Sequence, residues 1–348
     1  MIEKILAYIL ACCNNSEFEQ TTVALISENL KISRSQVSVV LNKLVKENKL
    51  IRIESKPFCF ISVEYLKEKG IPFKNSLYAS IDDLLSNQEK KDFEKLVGMN
   101  HSLAQTVKQC KATISYPPNG LPMLLYGPTG TGKSLIAKLT YEWARNQGVI
   151  SKNGQFVQVN CSEYANNPEL LTANLFGHVK DAFTGAEKDN EGLIALADNG
   201  VLFLDEVHEL KAECQEKLFL FMDQGIYHRV GDNEKWYKSN VRIVFATTEN
   251  PDKVLLKTLM RRIPMTITIP SLEQRGTQER IELLCDIFSQ EEKRLNCQIK
   301  MSSKVYNALL QSKMPGNIGQ LKSSVQSCCI NSLFDKVNDE LEIHLDSL

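Results

Sequence analysis

The fold prediction begins from one glycine-rich stretch, Gly127-Pro128-Thr129-Gly130-Thr131-Gly132-Lys133-Ser134. This stretch fits the phosphate-binding pattern GxxxxGK[ST]. The apolar run Leu121–Tyr126 precedes it, and a helical pattern beginning at Leu135 follows it. Glycines let the backbone approach a phosphate without a Cβ in the way, and the N–H groups at the start of the helix face the anion. We therefore predict a nucleotide site in which Lys133 binds the β- and γ-phosphates and the Ser134 hydroxyl binds Mg²⁺.

A second acidic strand supports this interpretation over an ordinary glycine-rich turn. The apolar run Val201–Leu204 ends in Asp205-Glu206, at a distance from the loop that is typical of P-loop folds. The carboxyl ends of parallel strands meet at the edge of an open α/β sheet where ligands bind. The sequence thus predicts that two carboxylates lie beside the phosphates of ATP.

Composition limits the class of protein. The chain has 348 residues, of which 43% are hydrophobic and 24% charged, which suits two or three globular domains. Its net charge of −1 gives no overall attraction to nucleic acid. The sequence has no apolar run of membrane-spanning length, no signal-peptide pattern and no CxxC pair among its ten cysteines. We expect a cytoplasmic protein with no membrane partner.

Residues 1–63 predict three helices and then a β-hairpin, the element order of a winged helix-turn-helix domain. The third helix begins after Ser33 and carries a local excess of positive charge. It is the predicted DNA-recognition helix, although a protein-interaction module with a solvated basic face remains an alternative. The candidate DNA-contacting residues are Arg34, Ser35, Gln36, Ser38 and Lys43.

The rest of the chain predicts an α/β domain followed by helices. Short apolar strands at Phe156–Asn160 and Val241–Thr248 alternate with helical patterns, which favours a parallel sheet covered on both faces. Three further helical patterns resemble a small lid domain. The predicted boundaries are 1–63 for the winged helix, 64–95 for a linker, 96–270 for the ATPase domain, and 271–348 for the helical lid with a C-terminal extension.

Asp181-Ala182-Phe183-Thr184-Gly185-Ala186 has an unusual composition between two predicted strands. Phe183 is flanked by small residues, which is typical of an exposed loop tip rather than a buried element. An exposed aromatic residue at such a tip often contacts a partner. The alternative is that Phe183 packs under its own loop.

This loop resembles the GAFTGA loop of the sigma-54-dependent transcriptional activators, also called bacterial enhancer-binding proteins, of the AAA+ class. Leu175–His178, Gly225–Gly231, Ile269–Arg275 and Pro315–Ile318 are similar to further signatures of that family. Within the family the chain is most similar to LevR-type regulators, which place a winged helix before the AAA+ domain and phosphotransferase-system regulation domains after it. The resemblance implies that the chain is part of a longer regulator.

The resemblance also implies partners and residue roles. It implies a homo-oligomeric ring, expected to be a hexamer, that uses ATP and Mg²⁺ and acts on the sigma-54 RNA polymerase holoenzyme from upstream promoter DNA. For Arg261 and Arg262, the alternative is that they are solvated surface residues. The implied roles are Asp205 for Mg²⁺, Glu206 for the attacking water, Asn160 for restraining Glu206, Thr248 for sensing nucleotide, Arg261 and Arg262 for a neighbouring subunit's γ-phosphate, and Phe183, Thr184 and Gly185 for sigma-54.

Two positions depart from the family pattern. Asp181 stands where the family has the first glycine of the loop, which puts the mobility of the loop and its contact with the partner in question. Gly319 stands where many members carry the sensor II arginine of the lid. Lys322, one helical turn from Ile318, is a candidate to contact the nucleotide in its place.

The function expected from these features is sigma-54-dependent transcription regulation, in which ATP hydrolysis by the AAA+ ring remodels the polymerase closed complex through Asp181–Ala186. One alternative is an AAA+ protein-remodelling ATPase whose Phe183 grips polypeptide. Another is a nucleotide sensor without hydrolysis, against which Glu206 argues.

Overall fold

The fold is taken from a computed structural model. It describes residues 1–15, 17–54, 57–69, 71, 73, 76–78, 80–81, 84, 92–333 and 340–343. The chain divides into two compact units, 1–90 and 91–348. Within the residues described, no helix is both long enough and apolar enough to cross a membrane.

In the residues that the structure describes, the first unit packs helices against a small sheet. Strand β1 pairs antiparallel with β2 and parallel with β3, which gives the strand order β2-β1-β3. One hydrophobic core joins the helices to this sheet. The elements are α1 Ile2–Asn14, α2 Val23–Leu30, α3 Arg34–Lys46, β1 Leu50–Ile53, β2 Cys59–Ser62, α4 Val63–Glu68 and β3 Leu77–Tyr78.

The predicted three helices and hairpin are present as α1 to α3 and β1–β2. Thr22 caps α2, since its Oγ1 accepts from Leu25 N at 3.4 Å. Helix α4 lies almost entirely within 64–95, the stretch interpreted as a linker with helical parts, whereas strand β3 in the same stretch was not predicted. Tyr65 of α4 and Tyr78 of β3 are buried in the first unit's core, and β3 adds a third strand to the hairpin. Two-residue strands carry too little periodicity to be predicted from sequence.

The second unit is built on a five-stranded parallel sheet of order β10-β4-β9-β6-β5. Separate hydrophobic clusters cover its two faces, so the predicted α/β fold class is confirmed. A two-stranded hairpin, β7–β8, lies outside this sheet. The strands are β4 Met123–Tyr126, β5 Phe156–Asn160, β6 Val201–Asp205, β7 Ile226–Tyr227, β8 Tyr237–Lys238, β9 Arg242–Thr247 and β10 Met265–Thr268.

Helices on both sides of the sheet are followed by three helices with a core of their own, which we call the lid (residues 276–331). The lid helices coincide with the three helical patterns predicted there. The helices of the second unit are α5 Ala104–Ile114, α6 Lys133–Asn146, α7 Pro168–Phe176, α8 Leu193–Leu196, α9 Ala212–Gln224, α10 Pro251–Val254, α11 Lys257–Met260, α12 Gly276–Leu295, α13 Ser303–Gln311 and α14 Asn317–Asn331.

The C-terminal stretch was predicted to be an extension or the start of a linker. Its described part instead contains a strand, β12 Glu340–Ile343, which pairs in parallel with β11 Gln298–Met301. Leu341 and Ile343 are buried in the lid core, because alternate residues of the strand face it. Residues 334–339 and 344–348 lie outside the described residues.

Candidate functional site

The phosphate loop connects β4 to α6 at the carboxyl edge of the sheet. Gly130 and Gly132 have φ values of +70° and +97°, a region that glycine adopts without strain. Among the residues that the structure describes, the N–H groups from Gly130 to Ser134 make no hydrogen bond. A row of unpaired donors at a helix N-terminus is suited to binding an anion.

Lys133 is folded back onto this loop. Its Nζ donates to Gly127 O at 2.9 Å and to Pro128 O at 3.2 Å, and only 6% of the residue is exposed. Burial lowers the pKa of the Lys133 ammonium, and the carboxylates of Glu206 and Asp205 partly offset this shift. The ammonium is therefore held inside the site by loop carbonyls, beside the two carboxylates.

Four of the predicted catalytic and metal-binding residues meet beside the loop. Ser134 Oγ donates to Asp205 Oδ2 at 2.8 Å, and Thr248 Oγ1 donates to Glu206 Oε2 at 3.1 Å. Asp205 ends β6, and Thr248 directly follows the neighbouring strand β9, so the sheet brings both to one edge. Glu206 has φ of +50°, which turns the chain sharply after the strand.

Asn160 lies opposite Asp205 in the register of β5 and β6. Its Oδ1 accepts from Ser162 N at 3.2 Å and from Ser162 Oγ at 2.9 Å. In the described part of the chain, no hydrogen bond joins Asn160 to Glu206. The structure therefore places Asn160 at the edge of the site, with its carbonyl oxygen occupied by Ser162.

His208 is a site residue that the sequence interpretation missed. Its Nδ1 lies 3.4 Å from Glu206 Oε2 and 3.1 Å from Thr247 Oγ1. The available signal was local, since His208 follows Glu206 by two residues at the end of a buried strand.

A pocket of about 410 Å³ extends from the phosphate loop to the lid, a size typical of small-molecule sites. The loop, Asp205 and Glu206 form its polar end. Apolar side chains from two other segments line part of the remainder, together with polar residues such as Asp286 and Gln290. The apolar residues are Leu96 and Val97 from the start of the second unit, and Leu283, Ile287 and Ile318 from the lid.

Gly319 and Lys322 of α14 also line this pocket. Gly319 touches the phosphate loop through its backbone, since its N donates to Gly130 O at 3.2 Å. Two residues that the sequence interpretation did not select also contact the loop. Asn317 Nδ2 donates to Thr129 O and Arg275 Nη2 donates to Thr131 O, each at 2.8 Å.

Arg261 and Arg262 are not among the residues that line the pocket. Arg262 forms a two-pronged ion pair with Asp223 at 2.7 and 2.8 Å, and its guanidinium lies 4.6 Å from the centre of the Phe219 ring. Hydrogen bonding to Arg262 lowers the pKa of Asp223. Arg261 is exposed, and its side chain makes no hydrogen bond or ion pair with any described residue.

The loop Asp181–Ala186, which we call the finger loop, is closed by Asp181 N donating to Ala186 O at 2.8 Å. Phe183 is 38% exposed, and its ring makes an edge contact with His178 at 5.0 Å. Thr184 and Gly185 are exposed. Asp181 has φ of +63°, so it adopts the left-handed conformation that the family's glycine would adopt most easily.

The candidate DNA-contacting residues lie on the outer side of α3. Arg34, Ser35, Gln36 and Lys43 are exposed, and Ser38 is half-buried. Gln36 Oε1 accepts from Ser33 Oγ at 2.9 Å, whereas Lys43 lies 3.9 Å from Glu47. The sequence interpretation overlooked Val39, which is 69% exposed in the middle of the helix. A single exposed valine gives no signal in the hydrophobic pattern of a helix.

Comparison with known proteins identifies the family. Residues 96–267, which contain the phosphate loop, the finger loop and both site carboxylates, match the sigma-54 interaction domain. The chain belongs to the sigma-54-dependent activators. It is 42% identical to the transcriptional regulatory protein LevR of Bacillus subtilis (strain 168) over 335 residues, and 36% identical to the transcriptional regulatory protein DagR of Salmonella typhimurium (strain 14028s / SGSC 2262) over 334 residues.

These alignments include 93% and 92% of this chain, so the sigma-54-dependent activator is of the LevR type. The chain spans 36% of the length of LevR and 35% of the length of DagR. Among solved structures, NtrX from Brucella abortus in complex with ADP is similar, with a TM-score of 0.58 and 25% identity. That similarity covers 72% of this chain and 54% of NtrX, and it agrees with the AAA+ fold of the second unit.

Proposed function

We propose that this chain is the DNA-targeted ATPase part of a sigma-54-dependent transcription regulator. The observation that carries the proposal is the meeting of Ser134, Asp205, Glu206 and Thr248 beside a phosphate loop with unpaired N–H groups. ATP binds with its phosphates on that loop and its base in the apolar end of the pocket, next to the lid. The similarity to an ADP-bound NtrX supports the same choice of ligand.

Glu206 is the group that activates water in this proposal. Phosphoryl transfer requires a positioned nucleophile and neutralisation of charge on the phosphates. Glu206 accepts a hydrogen bond from Thr248 and contacts His208, so its carboxylate is oriented before nucleotide arrives. Lys133 exchanges its contacts with loop carbonyls for contacts with phosphate oxygens. Asn160 ends the neighbouring strand β5, opposite Asp205, a position that suits the proposed restraint on Glu206.

Mg²⁺ fits the residues present. A hydroxyl and a carboxylate, Ser134 Oγ and Asp205 Oδ2, lie 2.8 Å apart beside the phosphate loop, and Mg²⁺ prefers such oxygen ligands. When bound, Mg²⁺ neutralises the negative charge that develops on the phosphates. Ser134 and Asp205 hold it in this proposal.

The ATPase works as a ring of copies of this chain, for which the family supports a hexamer. Arg261 reaches the γ-phosphate in the neighbouring subunit. Its exposed side chain has no partner among the described residues, whereas Arg262 is engaged by Asp223. A cation that contacts the phosphates from another subunit makes hydrolysis depend on assembly.

The finger loop transmits the effect of hydrolysis to sigma-54. Phe183, Thr184 and Gly185 are exposed at its tip and form the proposed contact with the sigma-54 RNA polymerase holoenzyme. Remodelling of that complex opens promoter DNA. A regulator that acts on RNA polymerase in this way works in the cytoplasm.

The first unit targets upstream promoter DNA through α3, in a winged helix-turn-helix arrangement. Arg34, Ser35 and Gln36 are exposed at its N-terminal end, and no acidic residue lies between Glu28 and Glu47. Val39 offers an apolar contact to a thymine methyl group from the same helix. Ser38 and Lys43 complete the proposed contact surface.

Two assays test the proposal. Release of phosphate measures ATP hydrolysis, and permanganate footprinting of a sigma-54 promoter measures whether hydrolysis leads to opening of promoter DNA. We expect Lys133→Ala to abolish both. Glu206→Gln should retain ADP binding while hydrolysis falls by about 100-fold or more, because a general base is lost. Lys138→Ala, an exchange on the outer side of the same helix, is the control and should retain both activities. Promoter opening by Lys133→Ala would refute the proposal.

A binding assay separates this function from that of a general protein-remodelling ATPase. The wild-type chain, loaded with a transition-state analogue of ATP, should bind isolated sigma-54, and Phe183→Ala should not. Equal binding of sigma-54 and of an unrelated unfolded polypeptide would favour the remodelling ATPase.

A further inference from the structure

Three consecutive carbonyl groups of the phosphate loop accept hydrogen bonds from the lid side of the molecule. Among the residues that the structure describes, no N–H of helix α6 donates to these three oxygens, although they lie in the turn that precedes the helix. The bonds run from Asn317 Nδ2 to Thr129 O (2.8 Å), from Gly319 N to Gly130 O (3.2 Å) and from Arg275 Nη2 to Thr131 O (2.8 Å).

These bonds determine where the loop N–H groups point. A trans peptide is planar, so its C=O and the following N–H point in opposite directions. Holding the carbonyls of residues 129–131 toward the lid directs the N–H groups of Gly130, Thr131 and Gly132 the other way. Within the described residues, those three N–H groups have no acceptor. They are therefore free to donate to phosphate oxygens.

The donors on the lid side are themselves held in place. Asn317 is 4% exposed, its Oδ1 accepts from Leu272 N at 2.8 Å, and its Nδ2 also donates to Pro315 O at 3.3 Å. The side chain of Arg275 is 1% exposed and lies 3.6 Å from Glu279 Oε1. A fully engaged buried amide or guanidinium has few alternative positions, so each donor holds its carbonyl firmly.

The lid backbone also lies directly against the loop. A Cβ added at Gly130 would be 2.1 Å from Gly316 O, a separation at which one of the two segments must move. At Gly319 a Cβ would be 3.5 Å from Gly130 Cα, which is ordinary contact. Glycine is therefore required at position 130 by the lid as well as by its φ of +70°.

We propose that the lid, together with Arg275 directly before it, positions the phosphate loop for the nucleotide. Asn317, Arg275 and the N–H of Gly319 are the positioning groups. This inference rests on the proposed binding of ATP. Because the same peptide planes connect lid and phosphate, seating of the lid and binding of nucleotide stabilise each other. The chain thereby couples its lid to the nucleotide through loop carbonyls, without an arginine at position 319.

The test compares two variants of the full chain that make the same chemical change in α14. Asn317→Asp keeps the acceptor for Leu272 N but replaces the donor to Thr129 O with an oxygen. Gln326→Glu likewise replaces an amide donor that faces an oxygen, since Gln326 Nε2 donates to Glu291 Oε1 at 2.9 Å. Gln326 does not contact the phosphate loop, so it is the matched control.

Hydrogen exchange at the Gly319 amide measures the seating of the lid without nucleotide. Gly319 is the third residue of α14, so its N–H has no acceptor within the helix and its protection depends on Gly130 O. We expect exchange in Asn317→Asp to be about tenfold faster or more, and exchange in Gln326→Glu to match the wild type. Equal exchange in the two variants would overturn the proposal.

Titration with a fluorescent derivative of ADP measures the consequence for the nucleotide. We expect Asn317→Asp to bind about tenfold more weakly than Gln326→Glu. Unchanged affinity together with faster exchange would mean that the lid is seated by Asn317 but does not orient the loop, and would overturn the proposal. A wild-type chain that fails to bind the ADP derivative would refute the proposed ATPase function instead. The exchange experiment needs no nucleotide, so it would still show whether Asn317 holds the lid against the phosphate loop.

Discussion

At the scale of single residues, the hydrogen bond from Thr248 to Glu206 shows how the site orients its carboxylate. The donor lies just beyond β9 and the acceptor just beyond β6, so their 3.1 Å contact depends on the pairing of those two strands. The hydroxyl satisfies one lone pair of a carboxylate that is only partly exposed. We therefore expect removal of this hydroxyl to change the orientation of Glu206 and to leave the phosphate loop intact.

Thr248→Val removes the hydroxyl with little change in shape. We expect the rate of ATP hydrolysis to fall by about tenfold, because a misoriented carboxylate positions water less often. Thr248→Ser keeps the hydroxyl and should retain most of the rate. ADP affinity, measured by titration, should be the same in both variants. Equal hydrolysis by the valine and serine variants would contradict this account of Thr248.

Arg261 and Arg262 are adjacent in the sequence, but they lie in different surroundings. We expect Arg261→Ala to reduce ATP hydrolysis by about 10³-fold at protein concentrations that permit assembly, because a cation supplied in trans is lost. Arg262→Ala should instead lower the free energy of unfolding, since it removes the ion pair with Asp223 and the contact with Phe219. Hydrolysis assays and thermal unfolding of both variants check this division.

The pH dependence of the Arg262 variant follows from the same contact. The ion pair holds the pKa of Asp223 below its ordinary value in the folded protein. A depressed carboxyl pKa contributes stability above the unfolded-state pKa, and this contribution is lost as pH falls through the folded-state pKa. The difference in stability between wild type and Arg262→Ala should therefore be present at neutral pH and shrink in acid. A difference that stays constant down to strongly acidic pH would contradict the assignment.

At the scale of elements, the finger loop is attached to the hairpin β7–β8. Val179 N donates to Val230 O at 3.1 Å, and Val230 N donates to Gly177 O at 2.9 Å. A Cβ at Gly231 would lie 2.7 Å from Ala182 Cβ, so the segment after β7 lies directly against the base of the loop. The position of the finger loop therefore depends on this hairpin.

Gly231→Ala should displace the finger loop, both through this clash and because the φ of +83° is strained for alanine. We expect sigma-54 binding to be lost while ATP hydrolysis remains within about threefold of wild type, because the site carboxylates lie on other strands. Gly148→Ala, outside the finger loop, is the matched control. It has a similar backbone strain at φ of +73° but no atom within 4 Å of the added Cβ. Loss of hydrolysis in Gly231→Ala would show that the loop and the ATP site are not separable in this way.

At the scale of the whole molecule, the two compact units have separate hydrophobic cores. Residues that share neither a core nor a partner usually act independently. A substitution on the surface of α3 should therefore not alter the phosphate loop, and the reverse should hold as well.

We expect Arg34→Ala to weaken binding of the chain to its upstream DNA site and to reduce the salt dependence of that binding, because one phosphate-facing cation is lost. ATP hydrolysis should be unchanged. Lys133→Ala should show the opposite pattern, with DNA affinity retained. Electrophoretic mobility shifts at several salt concentrations and phosphate release measure the two activities. Lys67→Ala, an exposed lysine of α4, is the control for charge alone.

Local pattern in the sequence was enough for the parallel α/β core, the phosphate loop, the acidic strand and the three lid helices. Each of these is specified by neighbouring residues, through apolar periodicity, glycine placement or a strand that ends in carboxylates. The finger loop could be located for the same reason. Strands β3 and β12 could not, because each is too short to give a clear pattern of its own and is placed by its pairing with β1 or β11.

Contacts between distant segments were decided by the tertiary structure alone. The packing of elements alone brings together the partners of three sets of contacts. These are His208 with Thr247, Asn317 and Arg275 with the loop carbonyls, and Asp223 with Arg262. A sequence pattern describes one segment at a time, whereas a hydrogen bond between segments depends on the register and crossing of the elements that carry its donor and acceptor.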